Sequence, residues 1–278
     1  MTTPQRQRRS TLFVGGLALE GLRPALASGA DIVCIDLEDA VPPGRKDEAR
    51  AATLAALRGL EVPPGVQLIA RVNSLVSFEG PIDLRMMLLE APAIGGAMLP
   101  KVESAEEVRW AGAMAEESRR EVDLYAIIES AEGLECCPQI ARGHPRLKAL
   151  FFGGFDMSTA LGCAMGWEPL LYARSRVVHA GALASIEVID SPYPHVADLE
   201  GLRASCEQVK ALGMSGKAAK HASQVATIRE AFTPSAAEVD RARRIIEMFR
   251  QDPTRPLVFE GKLVELPAIK KLERIAAL

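Results

Sequence analysis

The sequence predicts a (β/α)8 TIM barrel, an α/β fold in which eight parallel strands alternate with helices. Three observations support this prediction. The 278 residues suit a fold that typically needs about 250, short apolar runs alternate with longer alanine-rich stretches of helical period, and the candidate strands number eight. A doubly wound open sheet is the alternative, but its nucleotide-binding form requires Gly-x-Gly-x-x-Gly after the first strand, and Gly15-Gly16-Leu17 does not supply it.

The candidate strands are short runs rich in β-branched and apolar residues that recur at regular intervals. They cover residues 11–14, 32–37, 67–72, 96–99, 124–128, 149–152, 187–189 and 217–220. Several are apolar almost throughout, which indicates burial on both faces of the sheet. Parallel strands inside a ring of helices satisfy that requirement.

The segments between these strands carry the start and stop signals of helices. The segments 46–57 and 199–212 end near Gly59 and Gly213, because glycine is favoured just beyond a helix C-terminus. The segment 104–119 opens with Ser104 and Glu107, which have the spacing of a capping box. We therefore predict helices at these positions.

The residues after the eighth strand are predicted to form an extension. A helix over 236–249 precedes a proline-bounded linker at 253–256, a short strand over 257–259 and a last helix from Pro267. This segment is too small to bury a core of its own, so we expect it to pack on its own barrel or on a neighbouring subunit. We expect a barrel with the catalytic site over residues 1–232 and a dependent extension over 233–278.

Composition and charge exclude several classes of protein. The chain is 48% hydrophobic and 25% charged, with a net charge of −3, which is typical of a globular protein and argues against nucleic acid as a partner. Five cysteines without a Cys-x-x-Cys pair fit neither a disulfide framework nor a zinc site and indicate the reducing cytoplasm. The apolar run at 12–14 is too short for a signal peptide or a membrane span, so no membrane partner is expected.

Polar residues follow most of the predicted strands. In barrel enzymes, the carboxyl ends of the strands line the active site. The residues at these positions are mostly acidic: Asp36, Glu38, Asp39, Arg71, Asn73, Lys101, Glu103, Glu129, Asp156 and Asp190. Carboxylates that point into one mouth repel each other unless a cation lies among them, so the pattern indicates a bound cation.

Glu129 and Asp156 follow consecutive predicted strands. Neighbouring strands lie about 4.8 Å apart, so both carboxylates could reach one ion. Mg2+ is the natural ion for oxygen donors, since it binds one or two carboxylates together with water and substrate oxygens. Gly153 and Gly154 would let backbone and substrate approach closely. Spacing alone also permits both acids to be solvated or salt-bridged loop residues.

Arg71 ends a very apolar strand. Its guanidinium could hold a substrate carboxylate through two hydrogen bonds. It could also be a buried partner of Asp36 or Glu38, and these two roles are compatible. We count Arg71, Asp36 and Glu38 as catalytic candidates.

The residues after the third and fourth strands supply further candidates. Asn73, Pro100 and Lys101 are expected to contribute to substrate binding. A Schiff-base role for Lys101 is disfavoured, because such a lysine works best in an apolar pocket and Glu103 lies close by. The histidines lack metal-site spacing, and no Gly-x-Ser-x-Gly elbow is present.

Characteristic motifs lie in eight segments of the chain, at residues 9–14, 25–50, 71–73, 98–104, 128–130, 153–156, 173–175 and 231–235. Taken together, these segments resemble the citrate lyase β-subunit-like proteins of the HpcH/HpaI aldolase and citrate lyase family. The resemblance follows the family's order along most of the chain.

The resemblance implies a (β/α)8 barrel that binds Mg2+ through Glu129 and Asp156 and holds a substrate carboxylate with Arg71. It implies cleavage or formation of a carbon–carbon bond between an acyl thioester and a 2-oxo acid. The usual substrates are citramalyl-, malyl- and citryl-thioesters of coenzyme A or of an acyl-carrier group. It also implies a homo-oligomer, a trimer or a hexamer, in which a C-terminal carboxylate from an adjacent subunit handles a proton. The matching residue here is Glu265.

The sequence departs from the family pattern at several positions. In relatives, Asp is usual at the position of Glu265, and Asn is frequent at the position of Leu17. Relatives also carry Pro at the position of Gly15, after Phe-Val, and at the position of Ala222, after His. The loop after the first strand helps relatives to hold the nucleotide part of the thioester. The altered loop leaves open an aldolase that acts on free 2-oxo acids without coenzyme A. The change at Glu265 leaves open a metal-binding member without catalytic activity.

Overall fold

The computed structural model describes residues 6–251 and 257–276. The chain divides into two compact units, Met1–Arg229 and Glu230–Leu278. In the first unit, eight parallel strands form a closed barrel in the order β1 to β8, which confirms the predicted fold. The predicted linker at 253–256 lies outside the described residues.

Each predicted strand corresponds to a strand of the barrel, with ends that differ by no more than two residues. The barrel closes where β8 pairs with β1, with Ser10 opposite Lys217. The strands are β1 (Ser10–Gly15), β2 (Ile32–Asp36), β3 (Gln67–Arg71), β4 (Gly96–Leu99), β5 (Asp123–Ile128), β6 (Leu147–Phe152), β7 (Glu187–Asp190) and β8 (Gly216–Ala219).

The helices alternate with the strands. Ser104 and Glu107 form the predicted capping box, and Gly213 ends a helix with a φ of 116°, a backbone conformation that glycine adopts without strain. The helices are α1 (Leu22–Leu26), α2 (Lys46–Leu57), α3 (Glu79–Glu90), α4 (Ala105–Glu117), α5 (Ala131–Ala141), α6 (Gly154–Ala160), α7 (Trp167–Ala184), α8 (Leu199–Leu212) and α9 (Val225–Phe232).

The interior of the barrel is a packed core that is closed at the amino ends of the strands. Tyr125 is fully buried and packs edge-on against Phe151, with 5.9 Å between the ring centroids. Its hydroxyl donates a hydrogen bond to Gln67 Oε1 at 2.6 Å and accepts one from Arg8 Nε at 3.1 Å. A ligand of the barrel therefore binds from the carboxyl ends of the strands.

Asp190 is a strand-end residue that lies in a buried ion-pair cluster. Its carboxylate pairs with Lys217 Nζ and with Arg174 Nε, the latter at 3.2 Å. All three side chains are almost completely buried. Arg174 also stacks on the ring of Phe152, with its guanidinium carbon 4.8 Å from the ring centroid. Asp190 therefore links β7, β8 and α7.

The described residues of the second unit after α9 form two helices and a hairpin. Helix α10 (Ala236–Gln251) precedes β9 (Leu257–Phe259), β10 (Lys262–Val264) and α11 (Leu266–Ala276). The strands pair antiparallel around a turn at Glu260 and Gly261, which both have positive φ. Ile245, Ile246 and Ile269 are buried in its apolar core. Within residues 6–251 and 257–276, every helix is too short or too polar to cross a membrane.

Candidate active site

A cavity of about 390 Å³ lies at the carboxyl ends of the barrel strands. Aromatic side chains form much of its wall, among them Phe13, Phe151, Phe152 and Phe155. Six charged side chains also line it: Asp36, Asp39, Arg71, Glu129, Asp156 and Lys220. A concave site with apolar walls and a few convergent charged groups is typical of a small-molecule site.

Arg71 is held in place by two buried carboxylates. The pairing of β2 with β3 sets Asp36 opposite Arg71, so the guanidinium donates Nε to Asp36 Oδ1 at 2.8 Å and Nη2 to Asp36 Oδ2 at 2.5 Å. Its Nη1 lies 2.9 Å from Glu38 Oε2. The interpretation of Arg71 as a buried partner of both acids is thus confirmed. Its binding of a substrate carboxylate stays a prediction.

Lys101 connects this acidic cluster to Glu129. Its backbone has a φ of 52°, a left-handed conformation that costs a non-glycine residue about 1–2 kcal/mol. In this conformation its N–H donates to Glu129 Oε1 at 2.8 Å, while its Nζ forms an ion pair with Glu38. Burial opposes the charge of Lys101, but the hydrogen bond to Glu38 and the nearby carboxylates raise its pKa above the usual value. A protonated amine is a poor Schiff-base nucleophile.

Glu129 and Asp156 lie at the same cavity but in different local structures. Glu129 follows β5 and is only 4% exposed. Asp156 is exposed and lies in the first turn of α6 rather than at the end of β6. Burial raises the pKa of Glu129 to about 8, and the charges of Asp156 and Glu38 contribute to the rise. A cation between the two acids would relieve this repulsion.

The donor set at Glu129 and Asp156 fits Mg2+. One oxygen of Glu129 accepts the N–H of Lys101, and a Cβ at Gly153 would lie 2.5 Å from the other oxygen. Glycine at this position therefore keeps that oxygen accessible. Across the described part of the chain, no group of three or more His, Cys, Asp or Glu is arranged to hold a metal ion. Two carboxylates leave coordination positions for water and substrate, as Mg2+ prefers.

The remaining substrate-binding candidates divide into two groups. Gly153 and Gly154 line the cavity, whereas its described lining does not include Asn73, Pro100 or Lys101. Asn73 is buried, and its amide nitrogen donates to Leu37 O at 3.0 Å and to Asp83 Oδ2 at 2.6 Å. It therefore ties together the loops after β2 and β3.

Glu265 lies in the second unit, between β10 and α11. Its side chain is exposed, and its backbone carbonyl accepts the N–H groups of Ala268 and Ile269 in the first turn of α11. The predicted role of Glu265 in proton handling stays a prediction.

Lys220 is a charged residue of the cavity that the sequence analysis missed. It follows β8 directly, so the criterion that selected Arg71 and Glu129 also applies to it. The aromatic residues Phe13 and Phe155 were also missed, because an apolar residue at a strand end has no sequence signal that separates a cavity wall from a packed core.

Comparisons with known proteins identify the family of the chain. The family model described as HpcH/HpaI aldolase/citrate lyase matches residues 9–222. The chain is 27% identical to the mitochondrial citramalyl-CoA lyase of Mus musculus, over 98% of this chain and 86% of that protein. It is 32% identical to the L-malyl-CoA/beta-methylmalyl-CoA lyase of Cereibacter sphaeroides, over 98% of this chain and 94% of that protein.

A solved structure extends the comparison to the whole fold. CitE from Mycobacterium tuberculosis, in complex with magnesium, acetoacetate and coenzyme A, matches with a TM-score of 0.80 and 26% identity, over 97% of each chain. The predicted resemblance is confirmed by the family model, which spans nearly the whole barrel. The chain therefore belongs to the HpcH/HpaI aldolase/citrate lyase family, and it is a carbon–carbon lyase of the citrate lyase β type.

Proposed function

We propose that the protein is a Mg2+-dependent lyase that cleaves, or in reverse forms, a hydroxyacyl thioester such as citramalyl-, malyl- or citryl-CoA. The products are an acyl thioester and a 2-oxo acid. The observation that carries this proposal is that Glu129, Asp156 and Arg71 line one cavity at the carboxyl ends of the strands. It is supported by relatives that are named as lyases of citramalyl-CoA and malyl-CoA, and by CitE, which was solved with magnesium and coenzyme A.

Glu129 and Asp156 would hold the ion, which when bound supplies a Lewis acid for the carboxylate and hydroxyl of the substrate. Arg71 would donate to the outer oxygen of that carboxylate. Asp36 engages its Nε and Nη2, and Glu38 and Asp39 lie at its Nη1. The second hydrogen of Nη2 remains for a substrate. These acids therefore fix the direction of the guanidinium before the substrate arrives, which lowers the cost of binding it.

The bond that breaks joins the hydroxyl-bearing carbon to the α-carbon of the thioester. The hydroxyl releases its proton to solvent and becomes the carbonyl of the 2-oxo acid, while the bonding electron pair moves to the thioester as an enolate. The enolate then takes a proton at its α-carbon. Glu265 is our candidate for this acid, acting on an adjacent subunit of a homo-oligomer, a trimer or a hexamer. We place the reaction in the cytoplasm, which the five free cysteines support.

A panel of thioesters tests the proposal. We expect the purified chain to release a 2-oxo acid from citramalyl-, malyl- or citryl-CoA in the presence of MgCl2 and not in excess EDTA, as measured by trapping with phenylhydrazine. Release from free citramalate or citrate but not from the thioesters would favour an aldolase that acts without coenzyme A. No release from any compound would contradict the proposed reaction.

Replacement of Glu265 tests its role in proton transfer. We expect Glu265→Ala to lower kcat by about 100-fold, the lower end of the contribution of general acid catalysis, with a much smaller change in KM. Glu265→Asp should retain most of the activity. Because the acid is proposed to act across a subunit boundary, mixing Glu265→Ala with Asp156→Asn subunits should restore part of the turnover. No recovery would show that Glu265 acts within its own subunit or has no role.

A further inference from the structure

Lys220 lies in the mouth of the barrel directly after β8. Strand β8 pairs with β1 on one side and with β7 on the other. The side chain is exposed, lines the cavity and rests on the ring of Phe155, with its Nζ 4.4 Å from the ring centroid. Its charged end is therefore held at the cavity wall by an aromatic face.

Lys220 differs from the other cations of the mouth in its partners. Arg71 is engaged by Asp36 and Glu38, and Lys101 pairs with Glu38. No carboxylate among the described residues lies within ion-pairing distance of Lys220 Nζ, which contacts the Phe155 ring instead. A cation–π contact is weak at an exposed site, so the ammonium can exchange it for an anion.

The position of Lys220 around the barrel separates it from the groups already assigned. It is two strands away from β6, which precedes Asp156, and three strands away from β3, which carries Arg71. An acid bound at Glu129, Asp156 and Arg71 uses its first carboxylate there. A second carboxylate on the same acid needs another cation, and Lys220 offers one on a different wall of the same cavity.

We propose that Lys220 is a specificity-determining residue that binds a second carboxylate of the substrate. The site then prefers a 2-oxo acid with two carboxylates over one with a single carboxylate. This inference rests on the proposed function, because it takes the cavity as the site of the 2-oxo acid. The Phe155 ring holds the ammonium at the cavity wall, where it can donate a charge-assisted hydrogen bond to the carboxylate.

Binding of two free acids to the full chain tests this proposal without a thioester. Oxaloacetate and pyruvate differ by one carboxylate, and their Kd values are measured by titration calorimetry in MgCl2. We expect oxaloacetate to bind about tenfold more tightly, as a partly desolvated ion pair allows. In Lys220→Met the ratio of the two Kd values should fall to about one, and Lys220→Arg should keep the preference.

A matched control removes one positive charge elsewhere. Lys148 lies near the amino end of β6, and its Nζ donates to Pro145 O at 2.8 Å. Lys148→Met should leave the ratio of the Kd values unchanged, because this lysine is at the opposite end of the barrel. If Lys148→Met also loses the preference for oxaloacetate, the preference depends on net charge and the proposal is overturned.

Other results also overturn it. The wild type could bind oxaloacetate and pyruvate with equal affinity, or Lys220→Met could weaken the binding of both acids by the same factor. Either result would show that Lys220 does not select the second carboxylate. Weaker binding of coenzyme A by Lys220→Met, with an unchanged ratio, would assign the residue to a carrier phosphate instead. If the chain cleaves no thioester but the Kd values of oxaloacetate and pyruvate differ as expected, the proposed function is contradicted and the role of Lys220 is still supported.

Discussion

Asp156→Asn is expected to abolish Mg2+-dependent turnover while leaving the barrel folded. The amide keeps the size of the side chain but removes one of the two charges that would hold the ion. Mutation of residues that only hydrogen-bond to metal ligands already lowers metal affinity or activity by about 10–100-fold. We therefore expect the loss of a ligand to lower kcat/KM by more than about 100-fold. Asp156 is exposed, and exposed substitutions usually change the free energy of unfolding by less than about 0.5 kcal/mol.

The measurement combines kcat/KM at saturating MgCl2, calorimetric Mg2+ affinity and urea unfolding. Glu132→Gln is a matched control, because Glu132 is exposed in the first turn of α5 and is outside the described lining of the cavity. It should retain activity and metal affinity. Full activity of Asp156→Asn would place the ion elsewhere, and a large loss of unfolding free energy would show that Asp156 has a structural role.

The strands could be predicted because the residues that form them favour few other secondary structures. The run Ile-Val-Cys-Ile at 32–35 is fully buried, and β-branched residues in a short apolar run favour a strand covered on both faces. Asp156 shows where this reading fails. The strand-end criterion put it directly after β6, whereas α6 begins at Gly154, and glycine is among the weakest helix formers. Local helix propensity therefore does not indicate this helix start.

The direction of polar side chains was less predictable than their positions. Asn73 and Arg71 both come from the carboxyl end of β3, but Asn73 donates inward to Leu37 O while Arg71 lines the cavity. Buried Asp83 accepts hydrogen bonds from the backbone and side chain of Asn73, and nothing in the sequence near Asn73 indicates that partner. A strand-end position thus identifies candidates, and the long-range hydrogen bonds decide which of them face a ligand.

Arg71→Ala is expected to impair both activity and stability. Asp36 and Glu38 are each 5% exposed, and removal of the partner of buried charges typically costs about 3–5 kcal/mol. Burial raises the pKa of Glu38, and the charge of Arg71 opposes that rise. Without Arg71 the folded-state pKa of Glu38 rises further above its unfolded value, so the folded state binds more protons than the unfolded state. The stability deficit should therefore shrink as the pH falls from 8 towards 5, as measured by urea unfolding.

Arg71→Lys separates the two roles of this residue. Lysine keeps one positive charge between Asp36 and Glu38, so most of the unfolding free energy should be retained. It lacks the planar fork that can serve two carboxylates on one side and a substrate on the other. We therefore expect kcat/KM to fall by about 100-fold, comparable to the loss of one preorganised donor at a reacting group. Full turnover in Arg71→Lys would contradict substrate binding by the guanidinium, because the charge alone would then account for everything that Arg71 does in this site.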